Sequence, residues 1–310
     1  MSLPRLNVVT CASPVGVHRM AYHEWGDPDN SDVVLCVHGL TRTGRDFDDL
    51  AQALASDFRV VCPDVVGRGL SDRLANPMLY AVPQYASDMV TLIARLNPAR
   101  LSWVGTSMGG LIGMAYAGLL AQARFARQHP TPAQAHHPLP DAHLPLDRVV
   151  LNDVGPHIEA ASLTRIGQYL GESVAFGAFD DAVAYVRAVA ASFGPHTDAQ
   201  WRELTRFTFI ERDGKWVKHY DLGIAVPFGA MNAEMAQQGE AMLWAAYTSI
   251  VAPILIVRGA ESDLLSSATL QQMLARNPRA RSVEFAGVGH APTFMARDQI
   301  SSVVEFLHGD

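Results

Sequence analysis

The chain has 310 residues, of which 49% are hydrophobic, and a formal net charge of -7 at pH 7. This length is enough to bury a large core in one large domain or two smaller ones. The negative charge gives no electrostatic reason to expect nucleic acid or an anionic membrane surface as a partner. No apolar run reaches about 18 residues, and the first residues lack a hydrophobic signal segment, so we expect a cytoplasmic protein without a membrane span.

The first hundred residues alternate between strand and helix patterns. Residues 5–25 are typical of two antiparallel strands, and the continuous apolar run at 33–37 is typical of a strand covered on both faces. A helix pattern at about 45–55 and a second buried strand at 59–62 follow, and another helix pattern begins after Pro83. This alternation predicts an α/β fold, a mostly parallel sheet with helices on both faces.

The most informative stretch begins with an apolar strand pattern at Leu101 and continues as a long helix pattern beyond Gly110. Between the two lies Gly105-x-Ser107-x-Gly109. This spacing is typical of a sharp strand-to-helix turn that presents a serine hydroxyl above the edge of a parallel sheet. The flanking glycines are expected because a Cβ atom there would strike the neighbouring strand or helix.

Residues 125–147 interrupt this alternation with five prolines and four histidines. A metal-binding tract is one interpretation of that composition. The histidines have neither helical spacing nor cysteine or carboxylate companions in a ligand-like pattern, so the sequence favours an inserted surface loop.

The second half of the chain contains a long helical block between two strands of the predicted sheet. A strand pattern at 148–152 precedes the block, and strand patterns at 253–258 and 281–285 follow it. We therefore predict a core formed by residues 1–156 and 249–310, with residues 157–248 as an inserted helical subdomain. Aromatic residues are frequent in this block, and we expect most of them in its own core and a few around an apolar pocket.

A serine hydroxyl becomes a nucleophile only when a base removes its proton during attack. Ser107, Asp263 and His290 each follow a predicted strand, and the carboxyl ends of parallel strands face one crevice. Asp153 also follows a strand, so it is the alternative acid. The positions of the strands alone leave both aspartates open as the acid.

These motifs together resemble the α/β-hydrolase superfamily over nearly the whole chain. The chain is similar to a serine esterase-like subgroup with a helical cap, whose members largely lack an assigned substrate. The resemblance implies an α/β-hydrolase fold with a mostly parallel eight-stranded sheet. The residues that carry it are His38-Gly39-Leu40, the segment from Asp64 to Asp72, Gly105 to Gly110, Asp263 and Gly289-His290.

The resemblance also implies a role for each site residue. Ser107 attacks a carbonyl carbon, and His290 accepts its proton and later returns one to the leaving group. The resemblance favours Asp263 over Asp153 as the acid that orients the imidazole, because the loop of Asp263 matches the pattern of the subgroup best. His38 resembles a structural turn residue of the oxyanion loop rather than a base. The backbone N–H groups of Leu40 and Met108 hold the oxyanion. Arg42 and Arg45 are candidates for binding a substrate carboxylate, but we favour their pairing at the protein surface with the aspartates at positions 46, 48 or 49.

A serine at this turn implies an acyl-enzyme intermediate and cleavage of a small or medium hydrophobic ester, thioester or lactone. Acyl transfer and cofactor-free perhydrolysis use the same intermediate. No metal, flavin or nucleotide is implied. Two alternatives remain: a carbon–carbon bond hydrolase of the meta-cleavage-product type, which the run Ser107 to Gly110 resembles, and a ligand-binding receptor with negligible turnover.

Overall fold

A computed structural model of the protein describes residues 3–130 and 145–309. Within these ranges, eight strands form one sheet in the order β1-β2-β4-β3-β5-β6-β10-β11. The strands of the main sheet are β1 (Arg5–Ser13), β2 (Gly16–Trp25), β3 (Asp32–Val37), β4 (Arg59–Pro63), β5 (Arg100–Thr106), β6 (Leu146–Asn152), β10 (Ile254–Gly259) and β11 (Ala280–Phe285).

The sheet is parallel except at the edge formed by the first two strands. β1 pairs antiparallel with β2 from Arg5 opposite Glu24 to Ser13 opposite Gly16, and β2 pairs antiparallel with β4. All the other neighbours are parallel. The predicted α/β class, the antiparallel edge and the mostly parallel eight-stranded sheet are therefore confirmed.

Helices cover both faces of the sheet, as the apolar runs of its central strands require. The helices with α-geometry are α1 (Asp48–Leu54), α2 (Val82–Leu96), α3 (Met108–Gln128), α4 (Ala160–Leu170), α5 (Phe179–Val189), α6 (Asp198–Arg206), α7 (Val226–Ala230), α8 (Ala233–Thr248), α9 (Ser267–Arg276) and α10 (Arg297–His308). Along β3, Val33 and Leu35 pack on the side of α2 and α3, whereas Val34 packs on the side of α1 and α10. This alternation follows from the two-residue repeat of a strand.

Residues 157–248 lie between β6 and β10, where the sequence predicted an inserted subdomain. They contain α4 to α8, as expected, but also a small antiparallel sheet in the order β7-β9-β8. Its strands are β7 (Ala175–Phe176), β8 (Phe209–Arg212) and β9 (Lys215–Lys218). The block is thus mainly helical, as predicted, and the small sheet is an addition that the sequence analysis did not predict. We call residues 157–248 the inserted segment.

The inserted segment has an apolar core of its own, in which Val183 and Val186 of α5 pack with Trp201, Leu204 and Phe209. Trp201 and Phe209 in this core agree with the prediction that most aromatic residues of the segment pack within it. α8 packs against α3, which joins the segment to the main sheet layer. The division of the chain into a core and a subdomain remains a prediction.

The predicted loop at residues 125–147 is only partly within the described residues. α3 continues to Gln128, so the first residues of that range are helical rather than loop, and β6 begins at Leu146. Residues 131–144, with most of the prolines and histidines, lie outside the described part of the chain. Separately, none of the helices between residues 3 and 130 or 145 and 309 has the length and apolar character needed to span a bilayer.

Candidate active site

Ser107 occupies the turn between β5 and α3, with φ 52° and ψ -117°. A positive φ is uncommon for a residue with a side chain and persists only where its surroundings enforce it. The surroundings here are tight, because a Cβ atom at Gly109 would lie 1.9 Å from the Val37 carbonyl oxygen. The Ser107 N–H also donates to the Asn152 carbonyl oxygen at 2.9 Å, which ties the turn to β6. The strand, turn and helix predicted around this serine are confirmed.

His290 lies beyond β11 and bridges a hydroxyl and a carboxylate. Its Nε2 atom is 2.9 Å from Ser107 Oγ, and its Nδ1 atom is 2.7 Å from Asp153 Oδ2. An ionised carboxylate only accepts hydrogen bonds, so Nδ1–H is the donor to Asp153, and in the neutral ring Nε2 accepts from the serine hydroxyl. The ring therefore has the tautomer that a base for Ser107 requires.

Asp153 follows β6 and has no solvent exposure. Its Oδ1 atom accepts from the Gly259 N–H at 3.0 Å, and its Oδ2 atom accepts from Ser262 Oγ at 2.6 Å as well as from His290. Together these donors satisfy a buried charge that would otherwise be costly. Asp153 has φ 55°, which turns its side chain out of the strand direction, and aspartate tolerates this left-handed region better than most residues.

The structure corrects the preferred acid. Asp263 does not contact His290; its carboxylate accepts from Arg165 Nε at 2.9 Å and Arg165 Nη2 at 3.0 Å and is about half exposed, at 47%. Its backbone oxygen accepts from Ser162 Oγ. Ser162 and Arg165 both belong to α4, so this helix binds the backbone and the carboxylate of Asp263 away from His290. The alternative acid, Asp153, is the one that lies against the imidazole.

The two amides predicted to hold an oxyanion belong to Met108, which follows Ser107 in the chain, and to Leu40, which lines the same cavity as Ser107. Met108 is the first residue of α3, and an N–H at that position has no acceptor within its helix. Leu40 lies inside a turn closed by the Arg42 N–H and the Gly39 carbonyl oxygen at 3.2 Å. A Cβ atom at Gly39 would be 3.7 Å from Ser107 Cβ, so this turn adjoins the serine. The role of the two amides remains a prediction.

His38 is fully buried beneath the Leu40 turn. Its Nδ1 atom donates to the Gly39 carbonyl oxygen at 2.7 Å, and its Nε2 atom accepts from the Val65 N–H at 2.9 Å. Burial lowers the pKa of its imidazole to about 4, so the ring is neutral and both nitrogens are occupied. As the sequence indicated, His38 shapes a turn and has no free nitrogen to act as a base.

The Arg68 side chain contacts both residues whose amides are predicted to hold the oxyanion, Leu40 and Met108. The side chain is buried, and its Nε atom donates to the Leu40 carbonyl oxygen at 2.9 Å while Nη2 lies 3.7 Å from Met108 Sδ. Nη1 donates to the Val66 carbonyl oxygen at 2.8 Å and to Tyr85 Oη at 2.9 Å. The sequence placed Arg68 in a family motif but assigned it no task.

Arg42 and Arg45 pair with aspartates, as favoured from the sequence. Arg42 donates from Nε and Nη2 to Asp46 at 2.7 Å each, and Arg45 donates to Asp48. The expected surface location is wrong for Arg42, which is buried because its Nη1 atom also donates to Thr208 of the inserted segment at 2.6 Å. Arg42 therefore joins the Leu40 turn to that segment.

A cavity opens above Ser107 and His290, between the ends of the strands and the inserted segment. Aliphatic and aromatic side chains form most of the wall on the side of the segment, among them Ile166, Tyr185, Val186, Phe193 and Phe209. Of the described residues around this cavity, Arg42, Arg165 and Lys218 are cationic, and Asp46 carries a carboxylate. Much of the cavity wall is thus apolar, and Arg42, Arg165 and Lys218 contribute its positive charges.

One group of described residues has the composition of a metal site: Cys11, His18 and Asp88. These residues are buried between β1, β2 and α2, and they do not line the cavity. His18 Nε2 bonds to Asp88 Oδ2 at 3.0 Å, and burial raises the pKa of the Cys11 thiol to about 12, which disfavours the thiolate that a metal needs. The group fits a buried polar contact better than a metal centre.

Comparison with known proteins gives a consistent family assignment. Residues 34–303 match a model described as the Alpha/beta hydrolase family. The chain is 50% identical over 310 residues to the 3-hydroxybutyrate-oligomer hydrolase of Cupriavidus necator, covering 99% of this chain and 98% of that protein. It is 27% identical over 278 residues to the pimeloyl-[acyl-carrier protein] methyl ester esterase of Aeromonas hydrophila, covering 90% and 95% of the two chains.

Among solved structures, the chain is similar to an alpha/beta hydrolase from Novosphingobium aromaticivorans. The two superpose with a TM-score of 0.81 and 32% sequence identity, covering 99% of each chain. The likeness therefore includes the inserted segment as well as the main sheet.

Proposed function

The chain belongs to the α/β hydrolase family and is an enzyme that cleaves ester bonds, and from this premise we propose that it is a serine esterase acting on short oligomers of 3-hydroxybutyrate or a similar hydroxy acid. The observation that carries the proposal is the hydrogen-bonded chain from Ser107 through His290 to Asp153. The substrate class comes from the relative that is 50% identical over nearly its full length.

In the first half of the proposed reaction, Ser107 Oγ attacks the ester carbonyl carbon while His290 Nε2 accepts the hydroxyl proton. The tetrahedral intermediate places its negative oxygen between the N–H groups of Leu40 and Met108. The C–O bond to the alcohol then breaks, and His290 returns the proton to the leaving oxygen. The products are a free alcohol and an acyl group on Ser107.

In the second half, a water molecule attacks the acyl carbon, and His290 Nε2 takes one of its protons. The bond to Ser107 breaks, the proton returns to the serine oxygen, and the carboxylic acid leaves. Asp153 holds the tautomer and stabilises the imidazolium in both halves. The Gly259 N–H and the Ser262 hydroxyl, which also donate to Asp153, keep its carboxylate fixed.

We assign the inserted segment the role of a cap over the reaction centre. Support comes from the cavity, whose wall combines the ends of the sheet strands with α4, α5 and β9. The segment also contacts the base directly, because Ser192 Oγ donates to the His290 carbonyl oxygen at 2.8 Å and the Gly289 N–H donates to the Ser192 carbonyl oxygen at 2.6 Å. An apolar acyl pocket beneath it suits the short methylated chain of a 3-hydroxybutyryl group.

The test is hydrolysis of p-nitrophenyl esters of graded acyl length and of 3-hydroxybutyrate dimer and trimer by the wild type and by Ser107→Ala. We expect a burst of p-nitrophenol, steady cleavage of the oligomers, and a loss of kcat on the order of 10⁶-fold in the variant. Ser87→Ala, on the exposed face of α2, is the matched control. Turnover that survives in Ser107→Ala, or esters cleaved without any activity on the oligomers, would contradict the proposal.

A further inference from the structure

The three cations around the cavity differ in how many of their N–H groups are already used. Arg42 uses Nε, Nη1 and Nη2 on Asp46, on Thr208 and on the Leu204 carbonyl oxygen. Four of the five N–H donors of its guanidinium are therefore used by the protein. One N–H of Nη1 remains, and the charge of the guanidinium is already paired with Asp46.

Arg165 is also occupied. It makes a two-pronged contact with Asp263, through Nε at 2.9 Å and Nη2 at 3.0 Å, and its side chain is 37% exposed. The pairing neutralises its charge at the solvent side of α4. A substrate carboxylate at this position would have to compete with Asp263 and with water.

Of the three cations, Lys218 is the one without a carboxylate at hydrogen-bond distance among the described residues. Its side chain is only 5% exposed, and its ammonium makes one hydrogen bond among the described residues, to the Tyr169 carbonyl oxygen at 2.7 Å. The nearest carboxylate is Glu172 Oε2 at 3.9 Å, too far for a hydrogen bond, and that oxygen accepts from Tyr185 Oη at 2.7 Å instead. An ammonium has three donors, so two remain.

The surroundings of Lys218 favour an anion from outside the protein. The ammonium lies 5.5 Å from the Tyr185 ring and 5.6 Å from the Tyr220 ring, which exclude water without neutralising the charge. Burial lowers the pKa of Lys218, and the charge of Glu172 at 3.9 Å opposes this effect only in part. A carboxylate in the cavity would oppose this effect further through charge-assisted hydrogen bonds.

We propose that Lys218 binds the terminal carboxylate of the substrate, so that the enzyme selects hydroxy-acid oligoesters with a free carboxyl end over neutral esters. This inference rests on the proposed function, because it concerns an anionic group of the oligomer that Ser107 is to cleave. In such an oligomer the free carboxylate lies on the alcohol side of the last ester bond. Binding it at Lys218 directs release of one hydroxy acid from that end.

The experiment compares the 3-hydroxybutyrate dimer with the same dimer in which a neutral carboxamide replaces the terminal carboxylate. For the wild type we expect kcat/KM for the carboxylate to exceed that for the amide by ten-fold or more. In Lys218→Met, which keeps most of the apolar stem, we expect this ratio to fall towards one, mainly through a rise in KM for the carboxylate. In Arg165→Gln, the matched control at the same cavity, we expect the wild-type ratio.

A second measurement does not depend on how well Lys218→Met folds. Butyrate should inhibit the wild type competitively at a concentration at least ten-fold lower than butyramide does. Equal inhibition by the two, an equal kcat/KM for the two dimers, or a ratio that collapses in Arg165→Gln and survives in Lys218→Met would overturn the assignment of Lys218 while leaving an ester hydrolase. Failure of the wild type to cleave either dimer would instead overturn the proposed substrate class and this inference with it.

Discussion

Asp153 and Ser262 are joined by a hydrogen bond of 2.6 Å between Oδ2 and Oγ. This bond brings the loop after β10 onto the acid after β6, with Ser262 facing inward. Asp263, the next residue, is then directed outward to Arg165. Through Ser262 the loop thus contacts the proposed reaction centre, and the neighbouring Asp263 contributes a partly exposed ion pair.

Exchange of the two aspartates for asparagine should separate them clearly. Asp153→Asn removes the charge behind His290 and favours the wrong tautomer, so we expect kcat to fall on the order of 10³- to 10⁴-fold. Asp263→Asn removes only an exposed ion pair, and kcat should change by less than about two-fold. Steady-state hydrolysis of p-nitrophenyl butyrate measures both. The reverse order of effects would restore Asp263 as the acid.

Arg68→Lys should act on the transition state more than on substrate binding. Lysine keeps the charge but cannot donate in a fork to Leu40, Val66 and Tyr85 together. A displaced Leu40 turn weakens an interaction made only in the transition state, so we expect kcat to fall about ten-fold or more with little change in KM. Arg19→Lys, at an exposed pair with Asp72, is the control. A rise in KM at constant kcat would argue against this positioning role.

Gly109→Ala should destabilise the whole fold. The added Cβ atom would meet the backbone oxygen of Val37 at 1.9 Å, and neither backbone can move without distorting the turn at Ser107 or β3. We expect the free energy of unfolding to drop by about 3 kcal/mol or more. Gly167→Ala in α4, where no atom lies within 4 Å of the new Cβ, should stabilise by about 0.5–1 kcal/mol. Urea denaturation followed by circular dichroism measures both variants.

Acid should destabilise the protein partly through His38. Its pKa is about 4 in the folded protein and near 6.5 in the unfolded chain, so between these values only the unfolded chain takes up the proton. The contribution of neutral His38 to the free energy of unfolding is complete above pH 6.5. It is lost as the pH falls to 4, which lowers this free energy by about 3 kcal/mol. His38→Gln should flatten this slope in urea unfolding at pH 7 and pH 4, whereas His129→Gln on the surface should not. Parallel slopes for His38→Gln and the wild type would refute this.

The sheet and the turn at Ser107 could be predicted because their signals are local. Apolar runs such as residues 33–37 identify buried strands, and the glycines around Ser107 are required by contacts within one strand-turn-helix unit. The position of His290 could be predicted as well, since it follows a parallel strand whose carboxyl end lies at the edge of the sheet where the crevice forms.

The choice of acid could not be predicted on that basis. Asp153 and Asp263 follow β6 and β10, which are neighbours in the sheet, so both reach the same edge. Which one turns inward depends on the left-handed backbone at Asp153 and on Ser162 and Arg165, which are distant in sequence from Asp263. The spacing of motifs along the sequence does not indicate such contacts.

The small sheet of the inserted segment escaped prediction because its strands have only two to four residues, too few for a periodicity to register. The sequence signal that could have revealed it is the dipeptide Asp213-Gly214, which is typical of a tight hairpin turn. In the structure both residues have positive φ and connect β8 to β9. Lys218 ends β9, and its contacts include Tyr169 and Tyr185, which are distant from it in sequence.

The pair of hydrogen bonds between Ser192 and the backbone of Gly289 and His290 limits how this enzyme can be re-engineered. Exchange of residues 157–248 for the corresponding part of a relative is an obvious route to a new specificity. Because Ser192 fixes the loop that carries the imidazole, a graft lacking an equivalent donor and acceptor would loosen the base along with the pocket. Successful chimaeras should therefore carry Ser192 and its flanking turn with the host, and take only the remaining cavity wall from the donor.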